Sequence, residues 1–176
     1  IVRYMLPAMI EPFLPPGLPR RIAQPRSVQW PTTSCTAMRV PPFDSFARDS
    51  LPPPGQLPRL LFGLPELQFG VRLNCATELL DRRVAQDGGE RIAVLGAAPD
   101  GTPIRWTYAE LQAQANRIAR VLVEDMGLVP GNRVLLRGAN SPMLAACWFG
   151  VVKAGGIAVG TMPLLRAREL TTIVAK

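Results

Sequence analysis

Gly150 and Gly155 stand at the spacing of the two glycines in a phosphate-binding loop, with Lys153 between them. The backbone N–H groups of such a loop cradle phosphate oxygens, but its second glycine must be followed by a Lys-Ser/Thr pair. Here the following pair is Gly156-Ile157, so the match fails where the chemistry would be. Lys153 is expected instead to close a helix, where a cation meets the negative end of the dipole. Glu110, Glu124 and Asp125 fall on one predicted helix, yet adjacent helical residues do not share a face, so no carboxylate pair for acid–base work emerges. The chain has no histidine, which removes Ser-His-Asp and Cys-His nucleophile systems and every imidazole zinc site. Cys35, Cys75 and Cys147 form no Cys-x-x-Cys pair. They read as reduced thiols packing as small hydrophobes, the pattern of a cytoplasmic protein.

The elements that would position such residues begin well inside the chain. Of 19 prolines, 14 fall in the first 68 of 176 residues. Residues 1–42 show no sustained period of 2 or 3.6, and Pro7, Pro12, Pro15, Pro16, Pro19, Pro25 and Pro31 would interrupt any helix there, so a disordered leader is expected. The chain starts at Ile1 and Met38 stands just before the first ordered-looking stretch, so residues 1–37 read as an upstream extension. A transit peptide is the competing reading, but its amphipathic helix would not survive the prolines. Pro16-Gly17-Leu18-Pro19-Arg20-Arg21 also fits a polyproline ligand, which keeps open a non-enzymatic alternative: a Pro-rich basic interaction module on a small α/β domain. The formal charge is +7, of which residues 1–43 carry +4. The body has no basic stripe beside aromatic platforms, so no nucleic-acid partner is expected.

Residues 43–70 read as an extended arm whose Phe43, Phe46, Leu57, Leu60, Leu61, Phe62, Leu64, Leu67 and Phe69 are anchors between prolines. Periodic elements follow within residues 71–176. Asn74 caps a helix reaching about Gln86, stopped by Gly88-Gly89. Ile92–Leu95 and Ile104–Trp106 pair as a hairpin across Pro99-Asp100-Gly101-Thr102. Thr107 and Glu110 make a capping box for a helix running to about Met126, with Leu111, Ala115, Ile118, Leu122 and Met126 on one stripe. Val134–Leu136 is a strand, and Ser141 with Pro142 opens a helix to Lys153 that is apolar nearly all round and therefore expected to be buried on most sides. Ile157–Val159 completes a right-handed βαβ unit over residues 133–160. A last helix begins near Arg166 and is cut by the chain end. Lys153 and the glycine pair argue against a membrane span over residues 143–163. The fold class is α/β.

Two segments within this frame resemble a known superfamily. Trp106-Thr107-Tyr108-Ala109-Glu110-Leu111 is similar to the first core motif of the adenylate-forming enzymes, the AMP-binding acyl-CoA synthetases, luciferases and peptide-synthetase adenylation domains. Val152-Lys153-Ala154-Gly155-Gly156-Ile157-Ala158-Val159 resembles the second, in the family's order, with Asn116-Arg117-Ile118-Ala119 and Pro130-Gly131-Asn132-Arg133-Val134 between them. Asp44–Asp49, Leu51–Pro54, Arg72–Ala76 and Thr161–Leu170 resemble the benzoate and 2-aminobenzoate CoA ligases in particular.

The resemblance implies the N-terminal part of a large AMP-binding synthetase domain: leader 1–42, arm 43–70 and truncated domain start 71–176. It implies a parent ligase in which an aryl carboxylate attacks the α-phosphorus of ATP, pyrophosphate leaves, and the CoA thiol takes the acyl group from the adenylate. ATP, Mg2+ and CoA are thus implied for the parent, with none bound by this stretch. The family's phosphate loop, acyl pocket and mobile lysine-bearing domain would lie beyond Lys176. No catalytic, cofactor-binding or metal residue is therefore assigned, and this chain alone is expected to be inactive. Tyr108, Glu110, Gly155 and Gly156 match family motifs as cap and packing residues.

Overall fold

The computed structural model describes residues 42–59, 61–70 and 72–175. Residues 1–41 of the leader, with its polyproline match at residues 16–21 and Cys35, lie outside them.

The chain enters through a short helix, α1 (Phe46–Asp49), followed by single 3-10 turns at Pro54–Gln56 and Pro65–Leu67. Prolines open both turns, where a missing N–H leaves no bond unmade. Every described side chain from Leu51 to Gly70 is exposed. One local closure occurs there: Gln68 Nε2 donates to the Phe62 carbonyl at 2.6 Å, and the Phe62 and Phe69 rings meet edge to face at 6.1 Å.

Asn74 caps the next helix, its Oδ1 accepting from the N–H groups of Ala76 and Thr77. The first turns, Thr77–Asp81, are π-helical and lead into α2 (Arg82–Asp87), which Gly88 ends at φ +75. Strands β1 (Ile92–Ala97) and β2 (Pro103–Thr107) pair antiparallel, with a bulge between Ile92 and Val94. The Asp-Gly pair does not make a two-residue type I′ turn, which needs a positive φ at both central residues, because Gly101 has one and Asp100 does not. The loop instead closes with Gly101 N–H donating to the Ala98 carbonyl and Gly101 at φ +84.

The capping box opens α3 (Tyr108–Arg120): Glu110 N–H donates to Thr107 Oγ1, and Thr107 N–H to Glu110 Oε2. The helix continues through a π-helical turn, Val121–Asp125. Strand β3 (Arg133–Arg137) pairs in parallel with β4 (Ile157–Thr161), joined by α4 (Pro142–Lys153), whose Ser141 cap accepts from Leu144 N–H at 3.1 Å. Helix α5 (Ala167–Val174) follows, and Arg137 donates to the carbonyls of Pro163 and Leu165 ahead of it.

The core lies where α3 meets α4 and β3. Leu111, Ala115, Ile118, Leu122, Val134, Leu136, Ala146, Cys147 and Val151 are buried, joined by Ala76 and Leu80 from the π-helical entry to α2. Burying a side chain of Leu or Ile size is worth roughly 1.5–3 kcal/mol. Apolar all-round composition does not bury α4 on most sides: Trp148 is 39% exposed, and Met143, Leu144 and Ala145 are only half-buried. Among the described residues no helix is long and apolar enough to cross a membrane.

Candidate functional site

Lys153 does more than end α4. Its Nζ lies 2.5 Å from Asp81 Oδ1 and 2.5 Å from Asn116 Oδ1, while Gln112 Nε2 donates to the same Asp81 oxygen at 2.8 Å. The cation is 18% exposed and its carboxylate 29%. At the residue before Lys153, the Val152 carbonyl accepts from Asn74 Nδ2. This polar cluster ties the entry to α2, helix α3 and the end of α4 together. Its members bond to one another, which makes the cluster a bolt between helices.

The glycines of the Gly150–Gly156 stretch pack. A Cβ at Gly150 would stand 2.6 Å from Ile118 Cγ2 and 3.1 Å from the Ala115 carbonyl, so this glycine lets α3 and α4 approach closely. Gly155 turns the chain at φ +80 against Pro130, and a Cβ at Gly156 would press on Val151. Tyr108 N–H donates to the Arg91 carbonyl at the start of α3, and Glu110 is engaged in the capping box.

Cys75 is exposed, against the expectation of a buried hydrophobe, because it follows the Asn74 cap on the outer side of its helix. Cys147 is buried, and burial pushes its thiol up, away from the thiolate a nucleophile needs. The carboxyls of Asp44, Asp49 and Asp100 are each held below the usual range. Asp44 accepts first from Phe46 N–H and then from Asn132; Asp49 accepts from the Ser45 hydroxyl and Arg48; Asp100 accepts from Thr102. These are turn and cap devices of the kind Asp makes locally. A small pocket of ≈ 80 Å³ lies beside Leu122, Leu128 and Val134.

The sequence reading missed Asp81, Gln112 and Asn116 around Lys153. The one available signal was the polar face of the α3 stripe, since the partners lie 31 to 72 residues apart.

A capped helix, a hairpin leading into it and a parallel β-α-β unit packed on it define a piece of an α/β domain. Residues 80–176 match the family model described as AMP-binding enzyme, and the chain belongs to that family. It is 33% identical over 109 residues to the 3-hydroxybenzoate–CoA/4-hydroxybenzoate–CoA ligase of Thauera aromatica, covering 62% of this chain and 20% of that protein. It is 47% identical over 64 residues to the acetyl-coenzyme A synthetase of Burkholderia thailandensis, covering 36% of this chain and 10% of that one. Among solved structures, the anthranilate CoA ligase AuaEII in complex with anthranoyl-AMP aligns with TM-score 0.51 and 27% identity, over 60% of this chain and 19% of that chain. The chain thus spans about a fifth or less of the length of these relatives.

Among the described residues, no three metal-ligating side chains come together. The Gly150–Gly156 stretch is filled by Ile118, Pro130 and Val151, and its lysine is engaged by Asp81.

Proposed function

We propose that this chain forms the opening part of the large domain of an ATP-dependent acid:CoA ligase that activates an aryl carboxylic acid of the benzoate or aminobenzoate class through an acyl-adenylate. Residues 71–176 are the domain start, residues 43–70 an arm on it, and residues 1–42 a leader outside it. The stretch serves as scaffold: the α3–α4 core and the Lys153 bolt hold the parallel pair β3–β4 in place, and strands of such a sheet carry ligand-binding loops at their C-terminal ends.

The observation that carries the aryl-acid reading is the likeness, over the longer of the two aligned stretches, to a ligase named for hydroxybenzoates. A structural neighbour named for anthranilate supports it. The acetyl-coenzyme A synthetases align over a shorter stretch at higher identity, so acetate belongs in the test.

The test is pyrophosphate release in ATP, magnesium and CoA with benzoate, 3- and 4-hydroxybenzoate, 2-aminobenzoate and acetate. It is run on this chain and on the longest protein its gene encodes. The expected result is turnover of aromatic acids by the longer protein and none by the chain alone. Preference for acetate would overturn the aryl class, and turnover by the 176 residues alone would overturn the scaffold reading.

A further inference from the structure

Asp44 and Asn132 are 88 residues apart in sequence, yet the chain around Asp44 is fastened to the turn at residues 129–133 by several separate contacts. Asp44 N–H donates to the Pro130 carbonyl at 2.9 Å. Asp44 Oδ2 accepts from Asn132 Nδ2 at 2.9 Å, while Oδ1 accepts from Phe46 N–H at 3.0 Å and so starts α1. The Arg133 guanidinium sits 4.0 Å from the centroid of the Phe46 ring. At Gly131, which has φ +89, a Cβ would overlap the Asp44 carbonyl, so the absence of a side chain there is what admits the strand of chain.

The receiving turn also organises the parallel pair. Asn132 Oδ1 accepts from Val129 N–H, Gly131 N–H donates to the Gly155 carbonyl, and Ile157 N–H donates to the Asn132 carbonyl. The side chain of Asn132 thus faces Asp44 while its backbone starts β4 in register with β3. On the strap itself nothing is buried: Phe43 is 52% exposed and Phe46 50%. A segment held by polar contacts, the Asp44–Asn132 bond among them only part-buried, and by no buried apolar side chain opens with a smaller free energy than the core it rests on.

We propose that residues 42–50 are a latch, bolted by Asp44 to Asn132 across Gly131, that opens independently of the α3–α4 core and, when open, loosens the common start of β3 and β4. Closed, it fixes where the exposed arm leaves the domain. Open, it frees the Asn132 Nδ2 group and the Pro130 carbonyl, which the closed latch satisfies.

Hydrogen exchange on the full 176-residue chain tests this, reading amides of residues 44–50, 131–133 and 157 against amides of α3. In the unsubstituted chain the latch amides should exchange by openings insensitive to low urea, while the α3 amides follow the urea-dependent global opening. Asp44→Ala should speed exchange in residues 44–50 by about tenfold or more, raise it at residues 131–133 and 157, and leave α3 unchanged. Gly131→Ala should do the same by displacing the strap. Asp100→Ala, which removes a carboxylate of similar local role at the hairpin tip, should leave the latch unchanged. The proposal is overturned if Asp44→Ala and Gly131→Ala leave residues 44–50 unaffected. It is equally overturned if, in the unsubstituted chain, those amides exchange at the unprotected rate or only together with α3.

Discussion

From Leu51 to Gly70 the chain carries Leu51, Leu57, Leu61, Phe62, Leu64, Leu67 and Phe69, and all of them are exposed, whereas α3 and α4 bury Leu111, Ala115, Ile118, Ala146, Cys147 and Val151. Both regions are rich in apolar residues. What separates them is backbone order. Pro52, Pro53, Pro54, Pro58 and Pro65 remove donors and hold the arm in short turns, so its side chains share no face. In α3 a capping box fixes the start of the helix and three- and four-residue spacing puts the apolar groups on one stripe. Apolar content supplies the driving force for burial, and periodicity decides whether it is used.

Substitutions on the two sides of that contrast should therefore behave differently. Ile118→Ala, in the core at 2% exposure, is expected to destabilise by about 2–5 kcal/mol through lost burial and the cavity left beside Gly150; urea unfolding followed by circular dichroism measures it. Thr107→Ala removes the side-chain half of the capping box and should lower stability by about 1 kcal/mol, read in the same titration. Leu61→Ser, at 75% exposure in the arm, should shift the midpoint by no more than about 0.5 kcal/mol. A large loss there would show that the arm is packed as the core is.

Between core and arm, the latch should respond to acid. Phe46 N–H, Asn132 and the Arg133 guanidinium hold the Asp44 carboxyl below its ordinary range, and Asp49 on the same strap is lowered by Ser45 and Arg48. A carboxyl with the lower value in the folded state contributes stability that is complete above its unfolded value and is lost as pH falls through the folded one. The Asn132 side-chain amide should thus keep its bonded chemical shift through the ordinary carboxylate range and lose it only at stronger acid. Loss at higher pH would detach Asp44 from the contact.

The local part of this fold was legible in the residues. Thr107 with Glu110, Ser141 with Pro142, Asn74 before its helix and the Asp-Gly loop are all signals written within a few positions, and the structure places an element at each. The two π-helical turns were not legible, because Thr77–Asp81 and Val121–Asp125 have ordinary helical composition and differ only in how the backbone bonds. The Asp44–Asn132 and Asp81–Lys153 contacts span 88 and 72 residues, and no spacing rule reaches that far. For the candidate site, the failed phosphate-loop match at Gly150–Gly155 was visible from residue types alone. The filling of those glycines by Ile118 and Pro130 needed the packed helices.

The central claim is that residues 80–176 work as a scaffold within an AMP-binding ligase. The most direct measurement grafts them in place of the matching stretch of the Thauera aromatica ligase and follows pyrophosphate release with 3- and 4-hydroxybenzoate in ATP, magnesium and CoA. The account predicts a folded chimera that retains turnover within about tenfold of the parent, a barrier change of about 1.4 kcal/mol or less. A chimera that folds with the parent's melting behaviour yet releases no pyrophosphate would contradict it.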